Sequence, residues 1–440
     1  MALVIGGLLA LVFFLRPIYA YFAALAILFV NPSLLPPLVE VSEFTIRYVD
    51  FLFVILALRF LIGVIVNNGL MKIPSLFAPI GLFLVYIGFS VMWVAITVPS
   101  RFAISFASYL RLLETSHLLI FTYLLFQNEK RIKDLVKFLM TMGFISVFVG
   151  MWEWFEDFRT SGLTLMMVRT EGLLGINSLG IVSGLLVLFS AIRNSKLPAR
   201  YLFGAIGLLG LLLTKSASSI AATAISTLLY LAYRRSKDNL GSSFRIIIVS
   251  LLAMGITVLA LWFLRREDIT GLLDLSGGSF AQRLYWANVG FNIFLKYPLV
   301  GVGWQVSSSP EILSAPDINA PLRTRFWRFP EHYFADLNIR SSVHNMYVQF
   351  LAELGIIGFI LFVVLVFKIW RKVRKVISKL SEGTVLKAYT EFFAFGLIFL
   401  LIWWNTNPLY GGPIELAMAM VFLGGIAAIE KIMSQKQISA

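Results

Sequence analysis

Cysteine is absent from this 440-residue chain, and charge is scarce, with Asp, Glu, Lys and Arg making up 14% of it. The first absence excludes disulfides, thiol catalysis and Cys-ligated metals, and leaves the compartment open. Only three histidines occur, His117, His332 and His344, and their spacing suits no metal. The carboxylates Glu40, Glu43 and Asp50 could meet a divalent cation, but nothing in their pattern demands one. No metal site and no cofactor is therefore expected. A phosphate-cradling P-loop and a dinucleotide fingerprint are both missing, so ATP-driven transport has no support. No strong internal repeat and no pair of interrupted helices in matching halves is visible, which weakens a secondary-transporter reading. The apolar stretch 1–15 lacks a basic n-region, so no cleavable signal peptide is expected.

What is present is apolar. Hydrophobic residues make up 59% of the chain, and the mean hydropathy is +0.86. That composition belongs to an integral membrane protein. Long apolar runs separated by short polar links predict a polytopic helical bundle, since barrel strands would show short alternating segments. Spans are expected at 51–66, 77–98, 102–126, 135–152, 173–192, 201–213, 220–233, 246–264, 346–370, 390–404 and 414–429. Residues 1–30, interrupted by Arg16 and Pro17, form either one kinked element or two short ones. The expected fold is thus all-α with about twelve transmembrane helices. It divides into N-terminal spans over 1–264, one long polar loop over 265–343 and C-terminal spans over 344–440.

Four basic links set the orientation. They hold Lys130, Arg131 and Lys133; Arg193, Lys196 and Arg200; Arg234, Arg235 and Lys237; and the run from Arg371 to Lys379. All fall on one side if the spans alternate, and the positive-inside rule makes that side cytoplasmic. Loop 265–343 and His344 are then external. The net charge of +14 is accounted for by such loops and by anionic lipid, without nucleic acid.

The stretch 341–358, SSVHNMYVQFLAELGIIG, is where the long polar loop meets a hydrophobic helix. Ser341 or Ser342 reads as the helix cap, which puts His344 in the first turn. There the helix dipole would favour a neutral imidazole and a neighbouring anion. Two readings follow: a general base at the membrane surface, or a boundary histidine that anchors the helix. Within 102–126, Arg111 and Glu114 are three apart and suit structural pairing, and His117 reads as a satisfied bundle histidine.

External cations are concentrated at Arg169, Lys215, Arg283, Arg323, Arg325, Arg328 and Arg340. They suit a phosphate or pyrophosphate ligand, or they snorkel to lipid headgroups. Residues 282–297 are amphipathic, with Trp286, Phe291 and Phe294 among polar residues, and predict a helix on the membrane surface. Pro298, Gly301 and Gly303 then predict a turn.

These motifs resemble a known family. His344, Asn345, Glu353, Gly355 and Gly358 resemble the His-Asn…Glu-x-Gly-x-x-Gly signature of the O-antigen ligase and O-antigen polymerase superfamily. Arg169, Gly172, Asn177 and Gly180 resemble its Arg-x-x-Gly…Asn-x-x-Gly element, and the run from Arg283 to Gly303 resembles the segment leading out of its large periplasmic loop. One position departs: Ala217 stands where the family usually carries an arginine, and Lys215 lies two residues earlier.

The resemblance implies a GT-C-like, metal-independent, inverting glycosyltransferase of the bacterial inner membrane, with its active site facing the periplasm. Its donor would be a glycan on undecaprenyl pyrophosphate. The acceptor would be a lipid A–core sugar for a ligase, or a second lipid-linked glycan for a polymerase; a lipid-linked glycan transporter is the third reading. His344 would act as general base. Arg283, with Arg169, Lys215 and Arg340, would hold the pyrophosphate, and Asn345 and Glu353 would support the site.

Overall fold

The computed structural model describes residues 10–30, 38–41, 44–66, 74–161, 175–192, 200–236, 278–329, 343–409 and 414–438. Residues 10–15 are helical and Arg16 is not, so the chain breaks ahead of α1 (Pro17–Leu28), with Pro17 in its first turn. Proline fits there because its missing N–H has no helical partner to lose. A short antiparallel hairpin follows, β1 (Val39–Val41) against β2 (Phe44–Ile46), with Val39 opposite Ile46. The rest is helical: α2 (Tyr48–Val66), α3 (Phe77–Thr97), α4 (Phe102–Leu125), α5 (Glu129–Ser161), α6 (Ile176–Ala191), α7 (Arg200–Thr214) and α8 (Ala217–Ser236). After the loop come α9 (Gly278–Lys296), α10 (Pro310–Leu313), α11 (Pro316–Arg325), α12 (Met346–Lys379), α13 (Val385–Trp403) and α14 (Ile414–Ile438).

Among the described residues, six helices are long and apolar enough to cross a membrane: α2, α3, α5, α12, α13 and α14. Three shorter apolar helices lie within α1, α6 and α7. The expected span at 246–264 lies outside the described residues. The bundle is organised around α14, most of which is buried, whereas α2 shows most of its surface. Small residues bring helices close where lipid gives them no hydrophobic reason to associate. A Cβ on Gly424 of α14 would lie 2.6 Å from the Leu119 carbonyl of α4, and one on Gly207 of α7 would lie 2.6 Å from the Ser183 carbonyl of α6.

The charges inside α4 are paired, as buried ions require. Arg111 donates to Glu114 at 2.9 Å, to Asp50 of α2 and to the Thr45 carbonyl of β2, and so ties three elements together. His117 is satisfied as expected, but by a local partner and not from inside the bundle. It is exposed on the bundle surface and is satisfied within its own helix, where Nδ1 donates to the Leu113 carbonyl at 2.8 Å.

The two ends of the bundle are chemically distinct. At one end Lys436 meets Glu129 at 3.4 Å, Lys372 meets Glu430 at 2.5 Å and donates to Ser75, and Arg234 and Lys387 meet Glu382. Three of the four basic links are thus gathered there. At the other end, the turn between α3 and α4 meets the long loop, with Ser100 and Arg101 holding Glu311 at 3.0 and 3.1 Å.

The amphipathic helix is not simply laid on a bilayer. In α9 the residues Ala281, Tyr285, Trp286, Val289 and Ile293 are buried in a second core, with Ile312, Ile318 and Phe326 from α10 and α11 and their neighbours, and with Val94 and Val98 at the end of α3. Their three-to-four spacing makes one helical stripe. The loop folds back to cover that stripe and leaves Phe291 and Leu295 exposed.

Candidate active site

The site is built on the entry to α12. Asn345 is its N-cap: the side-chain oxygen accepts from the N–H groups of Tyr347 and Val348, each at 3.0 Å. This corrects the expectation that Ser341 or Ser342, which lie outside the described residues, cap the helix. Asparagine's short amide reaches the orphan N–H groups of the first turn directly. His344 therefore precedes the cap instead of sitting in the first helical turn. The other end of the Asn345 amide donates to the Asn405 carbonyl at 2.6 Å, and Met346 N–H reaches the carbonyls of Trp404 and Asn407 at 3.0 and 3.1 Å. The residue after the histidine thus fixes the start of α12 against the turn that follows α13.

The Glu-x-Gly-x-x-Gly part of the motif is a docking device. Helix α12 is broken at Gly355, whose φ of 65° and ψ of −170° are non-helical. The segment Pro298-Leu-Val-Gly-Val-Gly303 lies in the break. Val302 and Gly303 donate to the carbonyls of Ala352 and Glu353 at 2.9 Å each, and Ile356 donates to the Pro298 carbonyl at 2.8 Å. Backbone groups freed by the kink are re-paired by an extended segment, the condition for non-helical backbone in such a bundle. The approach leaves no room for side chains: a Cβ on Gly355 would lie 2.3 Å from the Leu299 carbonyl oxygen, and one on Gly301 would lie 2.4 Å from the Glu353 carbonyl carbon.

Glu353 and Gln349 extend this seam as a buried polar network. The Glu353 carboxylate accepts from Ser307 Oγ at 2.5 Å and from Gln349 Nε2 at 3.1 Å. Gln349 Oε1 accepts from Leu409 N–H at 2.9 Å, and Gln305 Nε2 donates to the Leu409 carbonyl at 3.0 Å. Glu353 therefore binds the loop exit and the turn after α13 to the first half of α12.

His344 is half-buried, and Arg283 of α9 lies close enough for its charge to act on the imidazole. Burial, and next the Arg283 charge, push His344 below the ordinary histidine value. The direction matches the dipole argument, but the causes are tertiary. The approach of α9 depends on Gly290, where a Cβ would lie 2.7 Å from Val348 and 3.0 Å from Val343.

Lys215 lies in the tight turn between α7 and α8, buried, with φ of 50°, and its N–H bonds to the Leu211 carbonyl at 3.1 Å. The serines beside it interlock, Ser216 Oγ lying 3.0 Å from Ser219 Oγ. Trp403 Nε1 donates to Ser219 Oγ at 3.2 Å. Trp403 ends α13 just before the turn that holds Asn345, so the Lys215 turn and the His344 segment belong to the same end of the bundle. Gly180 of α6 fits against this turn, since a Cβ there would lie 2.5 Å from Ser219 Oγ. Asn177 is exposed near the start of α6. Arg169, Arg340, Gly172 and His332 lie outside the described residues.

The turn after α13, with Asn405, Asn407 and Leu409, was not anticipated as part of the site, nor were Gln305, Ser307 and Gln349. One sequence signal existed. Trp-Trp-Asn-Thr-Asn-Pro at 403–408 is an aromatic pair followed by a turn-forming Asn-Pro run at the end of a span. Beneath the site, an apolar cavity of about 290 Å³ starts at Met346, Phe350 and Trp404 and reaches Ile369 and Val373 in the far half of α12. Among the described residues, no group of three or more His, Asp or Glu is placed to hold a metal.

Fold and site together define a multi-pass helical membrane protein with a histidine, an arginine and a lysine at the end opposite its three described basic links. Residues 202–363 match the family model described as O-antigen ligase, a stretch that contains Lys215, Arg283, His344, Asn345 and Glu353. The match supports the O-antigen ligase superfamily and an enzyme of ligase type. No curated protein matches the chain.

Proposed function

We propose that this protein is an O-antigen ligase that transfers a glycan from undecaprenyl pyrophosphate to a sugar of lipid A–core. The reaction is placed at the periplasmic face of the bacterial inner membrane, in a GT-C-like bundle of about twelve spans. The observation that carries the reading is the approach of Arg283 to His344, within the stretch that matches the ligase family. A neutral imidazole beside a fixed cation suits a reaction that removes one proton and releases an anion.

In the proposed step His344 takes the proton of the acceptor hydroxyl, and the oxygen attacks the anomeric carbon as the bond to the pyrophosphate oxygen breaks. The electron pair of that bond leaves with undecaprenyl pyrophosphate, whose charge Arg283 and Lys215 offset, joined by Arg169 and Arg340. Attack opposite the leaving group inverts the carbon. Asn345 and Glu353 position the histidine and the loop, and neither needs to touch substrate. The apolar cavity below Met346 offers a path for the polyprenyl chain. No step requires a metal.

The deciding experiment compares glycans after deletion of the gene. Loss of a ligase leaves full polymer on its lipid carrier and bare core. Core bearing a single repeat would instead identify a polymerase, and repeats retained on the cytoplasmic leaflet would identify a transporter.

A further inference from the structure

The geometry points to a binding site for an anionic phospholipid in the groove between the start of α3 and the basic half of α12, at the end of the bundle opposite His344. The groove encloses about 430 Å³. Lys368, Arg371 and Lys375 line it from α12, at a spacing that sets them on one helical face. Their side chains make no hydrogen bond or ion pair with any described residue, whereas Lys372 among them is engaged by Glu430 at 2.5 Å and by Ser75 at 3.1 Å. That ion pair ties α12 to α14 and leaves the other three cations uncompensated among the described residues.

The opposite wall supplies a second, independent source of positive potential. It is the N-terminus of the 21-residue helix α3, where the Ala78 N–H has no side-chain acceptor, the Phe77 N–H being bonded to the Pro74 carbonyl at 2.9 Å and Pro79 having none. Three open cations facing such a helix end select a phosphate. The rest of the groove selects a phosphate that carries acyl chains. Leu82 lines it and is 58% exposed, and Val85 and Phe89 continue the same exposed face along α3. Val364 and Phe367 do the same on α12. A basic pocket between transmembrane helices, opening onto a bare apolar surface, fits a phospholipid headgroup with its chains alongside. This lipid is neither donor nor acceptor, and the inference stands apart from the catalytic proposal.

The test uses the full chain purified in a mild detergent, with thermal stability followed while lipid is titrated. Phosphatidylglycerol should raise the melting temperature and phosphatidylcholine should not. Glycerol 3-phosphate, which has the headgroup chemistry without the chains, should have no effect over the same range. In the double variant K368Q/R371Q the midpoint for phosphatidylglycerol should rise about 25-fold, about fivefold for each cation. The exposed pair R374Q/K379Q removes the same charge from α12 outside the groove and should leave the midpoint unchanged. Should the first double variant fold poorly, Lys375→Gln alone carries the prediction at about fivefold. Equal weakening in the two double variants, or an equal effect of phosphatidylcholine, would overturn the site. A full response to glycerol 3-phosphate would reassign it to free phosphate.

Discussion

The proton load of His344 decides whether it can serve as a base. Burial and the Arg283 charge both favour the neutral ring. A base must be unprotonated, so transfer should rise with pH along an acid limb whose midpoint lies below the ordinary imidazole value of about 6.5. Arg283→Gln should move that acid limb upward, because it removes a charge that opposes protonation while leaving the burial. A limb that stays put in Arg283→Gln would separate the two residues. His344→Ala and His344→Gln should both lower turnover by roughly 10²–10⁴-fold with folded protein retained. Near-normal transfer by His344→Gln would leave only a boundary histidine. Arg283→Ala should cost about a hundredfold or more, and Arg283→Lys should recover part of it, since a point charge replaces a fork. Lys215→Ala isolates the amine, because the Cβ and hence the turn are unchanged. Wild-type transfer there would remove Lys215 from the site without touching the rest.

At the scale of elements, the kinked α12 and its inserted segment form one unit. Gly355→Ala places a side chain at φ of 65° and against the Leu299 carbonyl. The backbone term alone costs of order 1–3 kcal/mol, and the contact adds to it. The expected result is loss of monodisperse protein on size exclusion, not a folded enzyme with a slower rate. Glu353→Ala should behave similarly but more mildly, since it leaves the buried Ser307 hydroxyl unpaired, at about 1–3 kcal/mol, while Gln349 keeps the Leu409 carbonyl at 3.3 Å. Glu353→Gln keeps an acceptor for Ser307 and should keep more folded protein than Glu353→Ala. If Glu353→Gln instead remained fully folded and lost transfer as His344→Gln is expected to, the carboxylate would have a chemical role.

Among the described residues, three of the four basic links lie at one end of the bundle and the candidate site at the other. In the orientation proposed above, which follows positive-inside bias, the first end faces the cytoplasm. The chain has no cysteine of its own, so single cysteines report orientation cleanly. Ser314→Cys and Ser378→Cys are both at exposed positions, between α10 and α11 and near the end of α12 respectively. In intact cells with a permeabilised outer membrane, an impermeant thiol reagent should label the first and spare the second. The reverse pattern would invert the topology and move the candidate site to the cytoplasm.

Hydropathy alone located most helices to within a few residues, because a bilayer demands about twenty apolar residues per span whatever surrounds them. The largest misses were helix ends that run past the apolar stretch: α5 continues to Ser161, α12 to Lys379 and α14 to Ile438, since charged residues extend a helix into water without showing in hydropathy. The sequence by itself also placed Arg283 within one long loop and His344 at its end, and it held the Glu-x-Gly-x-x-Gly spacing. Tertiary structure alone decided what those residues do. Asn345 became the cap because its amide could reach both the first-turn N–H groups and the distant Asn405. The break at Gly355 became stable because Pro298–Gly303 arrives to pair its backbone. His344 is pushed toward its neutral form by burial and by Arg283, a residue 61 positions away, so its charge depends on packing that no local pattern encodes.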